Sequence, residues 1–187
     1  MPRRISQRDA IAHVRRVVDA GSGRTVWIGI DGFGGAGKTR FANLLAEQLG
    51  GLPVVHIDDF WGPSIPEWDW PRFLAQVRDP LAANEPAHYQ SWDWTRDQPG
   101  EWHDIAPGVP VVIEGVSCTR REVGIDWDVQ VWVDAPRQVR LDRALRRDGP
   151  ALLSRWLEDW MPSEQRYAAR ERPQDRVDLI VSGTEES

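Results

Sequence analysis

The sequence predicts an α/β fold: a five-stranded, mostly parallel sheet with helices on both faces. Three observations carry this reading. Five short apolar runs rich in β-branched residues, Thr25–Ile30, Pro53–Ile57, Val109–Ile113, Asp128–Val133 and Val177–Val181, have the continuous hydrophobicity of strands covered on both sides rather than the alternation of half-exposed ones. Stretches of helical periodicity separate most of them, as parallel crossovers require. A glycine-rich turn follows the first run directly. Within 187 residues, 41% hydrophobic and 28% charged, the chain has the composition of an ordered globular protein, and nothing resembling a linker divides it, so residues 1–187 read as a single domain.

Taken in order, Ser6 with Asp9 forms a capping signal for a helix reaching about Ala20, with Ile11, Val14, Val17 and Val18 as its apolar stripe and Gly21-Ser22-Gly23 as its stop. The glycine-rich turn after the first strand leads into a helix over Lys38–Leu49, ended by Gly50-Gly51. Residues 61–105 show little periodicity; one helix is expected there, capped by Asp69, with Pro71 in its first turn, running to about Arg78. Pro136–Arg147 reads as a helix carrying Arg140, Arg143, Arg146 and Arg147, with Arg140 on a solvated face. A second helical stretch, Ala151–Arg170, is expected to be interrupted near Pro162, and Gly183–Ser187 forms a polar tail.

Composition also excludes functions. The formal charge of −6 argues against non-specific nucleic-acid binding. No apolar run approaches the roughly 18 residues of a membrane span, and the basic start lacks an apolar export segment, so no membrane partner and a cytoplasmic location are expected. Cys118 is the single cysteine, which excludes an intrachain disulfide and a cysteine-built zinc site, and His13, His56, His88 and His103 lack metal spacing. Lys38 is the only lysine among 23 basic residues. Six of the 11 tryptophans, Trp61, Trp68, Trp70, Trp92, Trp94 and Trp102, crowd between positions 61 and 102.

The retained lysine lies in Gly32-Phe33-Gly34-Gly35-Ala36-Gly37-Lys38-Thr39, which fits G-x-x-x-x-G-K-[ST] between a strand and a helix. Phosphate oxygens must be wrapped by backbone N–H groups, which glycines permit, and the following helix N-terminus favours anions. Lys38 supplies charge to the β- and γ-phosphates, and the Thr39 hydroxyl is placed for Mg²⁺. Ligands in such sheets sit beyond the carboxyl ends of the strands. Acids occupy three of those ends: Asp31, which reads as a brace for the loop, Asp58-Asp59, and Glu114. Carboxylates converging on a γ-phosphate can hold a metal or take a proton from an attacking hydroxyl.

With these residues the chain resembles the uridine kinase and phosphoribulokinase group of P-loop kinases, within the nucleoside-monophosphate-kinase-like fold, from about Val26 to Val181. Ile57-Asp58-Asp59-Phe60-Trp61 is similar to the group's D-S-F-Y segment, Val112-Ile113-Glu114-Gly115 to its E-G segment, Arg143 to Asp148 to the R-x-x-x-R-D run opening its lid, and Asp178-Leu179-Ile180-Val181 to its closing strand. Trp68-Asp69-Trp70-Pro71 resembles its F-D-H-P and Trp92-Asp93-Trp94 its Y-D-F, three residues before a base-reading His whose position is Asp97 here.

The resemblance implies a three-layer P-loop fold with strand order 2-3-1-4-5, a helical lid over about 146–162 and an acceptor-binding insertion over about 60–105. It implies transfer of the γ-phosphate of ATP, with Mg²⁺, to a hydroxyl of a small acceptor, a nucleoside or sugar-like molecule, and a homo-oligomer. Asp58, Lys38 and Arg147 would be catalytic, with Asp59 the alternative base. Gly32, Phe33, Gly34, Gly35, Ala36, Gly37, Lys38, Thr39, Arg40 and Arg143 would bind nucleotide. Asp69, Tyr89, Trp92, Trp94 and Asp97 would bind the acceptor, and Thr39, Asp58 and Glu114 the metal. Two readings stay open beside it: a nucleoside monophosphate acceptor, with Arg72, Arg96 and Arg166 as candidate phosphate ligands, and a nucleotide-binding switch with no acceptor.

Overall fold

The computed structural model describes residues 1–21, 23–62 and 68–184. Ser22 of the first helix stop, residues 63–67 of the expected insertion and residues 185–187 of the expected polar tail lie outside them.

The chain forms β1 (Arg3–Ile5), helix α1 (Gln7–Ala20), β2 (Trp27–Asp31), helix α2 (Lys38–Gln48), β3 (Val54–His56), β4 (Ala87–Asp93), β5 (Gln98–Ile105), β6 (Val111–Glu114), β7 (Val129–Asp134) and β8 (Leu179–Ser182), with further helices named below. Six strands make one parallel sheet in the order β1-β8-β7-β2-β6-β3. Counting only the five apolar runs, this is the expected 2-3-1-4-5. The sixth strand, β1, was not anticipated: two of its three residues are arginines, so it carries no apolar signal, and pairing with the edge strand β8 makes it a strand.

β2 lies at the centre and is buried at all five positions. Ile28 pairs with Val112 of β6 and Val129 of β7, so three apolar rows stack side by side. One face packs Ile28, Ile30, Val112 and Val131 against Ala10, Val14, Phe41 and Leu45 of α1 and α2. The other packs Trp27, Val55, Val111 and Ile113 against Phe60, Phe73, Val77 and Tyr89. Ser6 caps α1 by accepting from the Asp9 N–H at 3.1 Å, as the sequence predicts.

The segment expected to hold only a helix also forms the antiparallel hairpin β4-β5. Its alternation is blurred by a bulge between Gln90 and Trp92 and by a mostly exposed β5, so a period of two is hard to read. The helix capped by Asp69 runs past Arg78 to Ala82, and the stretch after Pro150 continues through Pro162 to Glu171 instead of breaking. One device explains both. A π turn precedes each proline, Leu74–Arg78 before Pro80 and Trp156–Trp160 before Pro162, and the Asp79 and Met161 N–H groups bond five residues back to Leu74 and Trp156. The wider turn makes room for a ring that would collide with an α-helical carbonyl. Among the described residues, no helix is long and apolar enough to cross a membrane.

Ile30 is fully buried in the central strand and tests this core. Ile30→Ala should cost about 2–5 kcal/mol in urea unfolding at an unchanged m-value; a loss below 1 kcal/mol would mean that the sheet's centre is not close-packed.

Candidate active site

The glycine-rich loop turns the chain from β2 into α2. At Gly35 a φ of +73° combines with close approach, since a Cβ there would lie 2.4 Å from the Arg140 carbonyl oxygen. Gly37, left-handed at φ 101°, opens α2 without a side-chain cap, so the helix end presents backbone N–H groups. Lys38 is buried and its Nζ donates to the Phe33 carbonyl at 3.1 Å across the loop. Arg40 is exposed on α2.

Two carboxylates hold the loop. Asp31, fully buried, accepts from the Gly32 N–H (2.7 Å), the Ser117 N–H (3.0 Å), the Thr119 N–H (3.2 Å) and hydroxyl (2.7 Å), and the Tyr167 hydroxyl (2.6 Å). This is the brace the sequence suggested. Glu164, missed by sequence reasoning, reaches in from the helix Met161–Glu171, accepts the Gly34 N–H at 2.9 Å and meets Arg140 at 3.3 Å. Burial pushes its carboxyl pKa up, against the opposing pull of Lys38, the Gly34 amide and Arg140. Arg140 is therefore not on a solvated face. It is buried, paired with Glu164, and stands over the Phe33 ring at 4.6 Å. Nothing in a helical period separates it from Arg147, seven residues on; only the packing of helix Arg137–Asp148 against the loop does. Arg143, on the same helix, donates to the Gly183 carbonyl at 3.1 Å and approaches those of Gly35 and Ala36 at 3.4 Å.

Beyond the strand ends the remaining acids gather. β3 stops at His56, and Asp58 and Asp59 sit in a 3₁₀ turn, Ile57–Phe60. The parallel register sets His56 of β3 beside Glu114 of β6. Glu114 is 4% exposed, and its Oε1 accepts from the Thr39 hydroxyl at 3.0 Å and from His56 Nδ1 at 2.6 Å, while its Oε2 is buried without a partner. Burial alone would raise this carboxyl; the His56 hydrogen bond, Lys38 and the Thr39 hydroxyl outweigh it and hold the group below its usual pKa. Reciprocally, the bond to Glu114 raises His56.

Asp58 stands at the open mouth of the site. The protein crowded around it and the Glu114 charge raise its pKa, while Lys38, Arg147 and His56 pull the other way. These groups thus lie within each other's fields. Asp59 is raised by burial and lies toward His56 and His103. Arg147 is exposed and gripped by Asp148 through two bonds, 2.6 and 3.0 Å, and Trp156 Nε1 also donates to Asp148 at 3.0 Å.

The orphaned Glu114 oxygen, the Thr39 hydroxyl and Asp58 suit a hard divalent cation. Among the described residues no cluster of three or more His, Cys, Asp or Glu could hold a metal ion by itself.

The expected acceptor residues divide into two groups. Trp94 is half-exposed and its Nε1 donates to the Asp58 carbonyl at 3.2 Å. Trp61 stacks against Trp94 at 4.5 Å and meets Trp92 edge-on at 5.5 Å, so three indoles form a wall beside Asp58. Asp69, Tyr89 and Asp97 sit differently. Asp69 caps its helix by accepting the Arg72 N–H. Tyr89 is buried against Phe60 and His103. Asp97 is at the exposed hairpin turn with φ 52°. A polar cleft of about 600 Å³ runs between β3 and the hairpin, lined by His56, Asp59, Tyr89, Asp93, Glu101 and His103 among others.

A family profile described as an AAA domain matches residues 28–159, most of the chain, and the chain belongs to that family. Among solved structures, a Silicibacter sp. TM1040 protein provisionally described as a fructose transport system kinase superposes with a TM-score of 0.77 at 21% identity, covering 94% of this chain and 98% of that one. A Bacillus stearothermophilus protein provisionally described as a uridine kinase gives 0.67 at 22% identity, again covering 94% and 98%. At such identities the likeness is one of fold, the α/β fold of P-loop proteins. No curated protein matches the chain in sequence.

Tyr167→Phe removes one of five donors to Asp31 and should destabilise the protein by about 1–3 kcal/mol, read by urea unfolding. A wild-type midpoint would mean that this bond does not hold the loop.

Proposed function

We propose that this member of the AAA domain family is an ATP- and Mg²⁺-dependent kinase that moves the γ-phosphate to a hydroxyl of a small, unphosphorylated acceptor, a nucleoside or sugar-like molecule. The single observation that carries the reading is the 3.0 Å hydrogen bond from the Thr39 hydroxyl to Glu114, which sets the acid at the end of β6 against the glycine-rich loop beside Lys38. Phosphoryl transfer needs in-line placement and positive charge around the phosphoryl oxygens, with one carboxylate free to take a proton.

In this reading the loop N–H groups and Lys38 bind the β- and γ-phosphates. Asp58 accepts the acceptor's hydroxyl proton as the new O–P bond forms and the bond from γ-phosphorus to the bridging oxygen of ADP breaks. A raised carboxyl pKa suits that base, because proton affinity closer to the working pH improves transfer. Bound Mg²⁺, held by Thr39, Glu114 and Asp58, would neutralise phosphate charge. Residues 146–162 would serve as the lid that excludes water, and residues 60–105, with the indole wall, as the acceptor-binding insertion. A flat indole face suits the planar base or the C–H face of a sugar.

The arginines favour an acceptor without a phosphate. Arg72 spends its guanidinium on the Gln90 and Asp59 carbonyls at 2.7 and 2.8 Å and over the Phe60 ring, Arg96 lies 3.5 Å from Asp93, and Arg166 is exposed on its helix. Cytoplasmic ATP would supply the donor.

The test is ADP release with Mg-ATP and a panel of nucleosides, sugars and nucleoside monophosphates. Acceleration by an unphosphorylated alcohol is expected; preference for the monophosphates would overturn the acceptor class. Lys38→Met should weaken nucleotide binding and transfer together, by calorimetry and turnover. Asp58→Asn should leave ATP binding nearly unchanged and lower kcat by roughly 10²–10⁴; near-normal turnover would pass the role to Asp59.

A further inference from the structure

We infer that His56 is a positioning residue for the metal: its imidazole locks the Glu114 carboxylate so that the free oxygen, Oε2, faces the cation. The inference rests on the kinase reading above and goes beyond it, since no role was assigned to any histidine.

Oε1 of the Glu114 carboxylate is an acceptor, so across the 2.6 Å contact the imidazole Nδ1 is the donor. Oε1 takes two donors, His56 and the Thr39 hydroxyl, and Oε2, equally buried, takes none. A buried charged oxygen without a partner costs free energy unless a cation or donor completes it. Both donors on one oxygen stop the carboxylate from rotating about its Cγ–Cδ bond and leave a single direction for that completion. The same arrangement spends the Thr39 proton on Glu114, which turns the hydroxyl's lone pairs outward as ligands.

His56 can do this because of the sheet. It is the register partner of Glu114 on the neighbouring strand, so its approach to Oε1 is set by two backbones. Its ring also lines the cleft between β3 and the hairpin, with Asp58, Asp59 and Glu114 as the charges acting on it. Hydrogen bonds that orient metal ligands in this way typically change metal affinity by 10–100-fold when removed.

The experiment uses a pair of variants of equal shape. Asparagine can place an N–H where Nδ1 stands; leucine fills nearly the same volume with no donor. Mn²⁺ binding to the full chain saturated with ADP is measured by electron paramagnetic resonance, and ADP binding in excess EDTA by calorimetry. In His56→Leu, Mn²⁺ should bind 10–100-fold more weakly while ADP binding in EDTA stays within about twofold; in His56→Asn, Mn²⁺ binding should recover to within about threefold of wild type. Wild-type Mn²⁺ affinity in His56→Leu overturns the inference, and so does a loss in His56→Asn as large as in His56→Leu. Failure of the underlying reading gives a different result: wild-type protein would bind ADP without any gain in Mn²⁺ affinity, or would not bind ADP at all.

Discussion

A side-chain carboxyl with no exposed surface costs free energy unless its acceptor positions are filled, and Asp31 fills them with five donors from three segments. That one group ends the central strand, starts the glycine-rich loop, ties down the turn after β6 and anchors the helix Met161–Glu171. Most of what stands around the phosphate-binding turn is hung from it. The loop has few side chains with which to hold its own shape, so its conformation has to be imposed from outside, and hydrogen bonds to buried charged groups are strong enough to do so.

The outer face of the loop is held by a second carboxylate. Glu164 takes the Gly34 N–H and is steadied by Arg140, which lies over Phe33. The helix bearing Glu164 continues directly from the Trp156–Trp160 turn, and Trp156 bonds to Asp148 at the end of the arginine-rich helix. The segment between Asp148 and Trp160 is thereby joined to the loop through a continuous run of contacts. The π turns before Pro80 and Pro162 belong to the same economy of packing, letting helices continue past prolines with their apolar stripes still facing inward.

The acids at the strand ends differ because their surroundings differ. Glu114 is buried, bonded on one oxygen and stabilised as an anion by His56 and Lys38. Asp58 is open to solvent and crowded by protein and by the Glu114 charge, which disfavours its ionised form. The two carboxylates at the loop end of the sheet therefore have opposite shifts, set by different neighbours.

Much of the fold was legible in the sequence because its signals are local. Continuous apolar runs mark strands buried on both sides, and their alternation with helical periodicity dictates parallel crossovers; Gly32–Thr39 marks the loop by spacing alone. The acids Asp31, Asp58 and Glu114 could be placed because strand ends follow from strand runs. The rest depended on contacts between distant segments. β1 is a strand only because β8 offers an edge, and the hairpin emerges from pairing that its blurred alternation does not announce. Arg140 and Glu164 are partners only after two helices pack on the loop, and His56 meets Glu114 only through the register of β3 against β6. The sequence by itself determined the five apolar strands, the helices between them and where the glycine-rich turn lies, since those follow from periodicity and dihedral preference. The tertiary structure alone decided which charge faces which, because the energy of a buried charge is set by neighbours that the chain brings from far away.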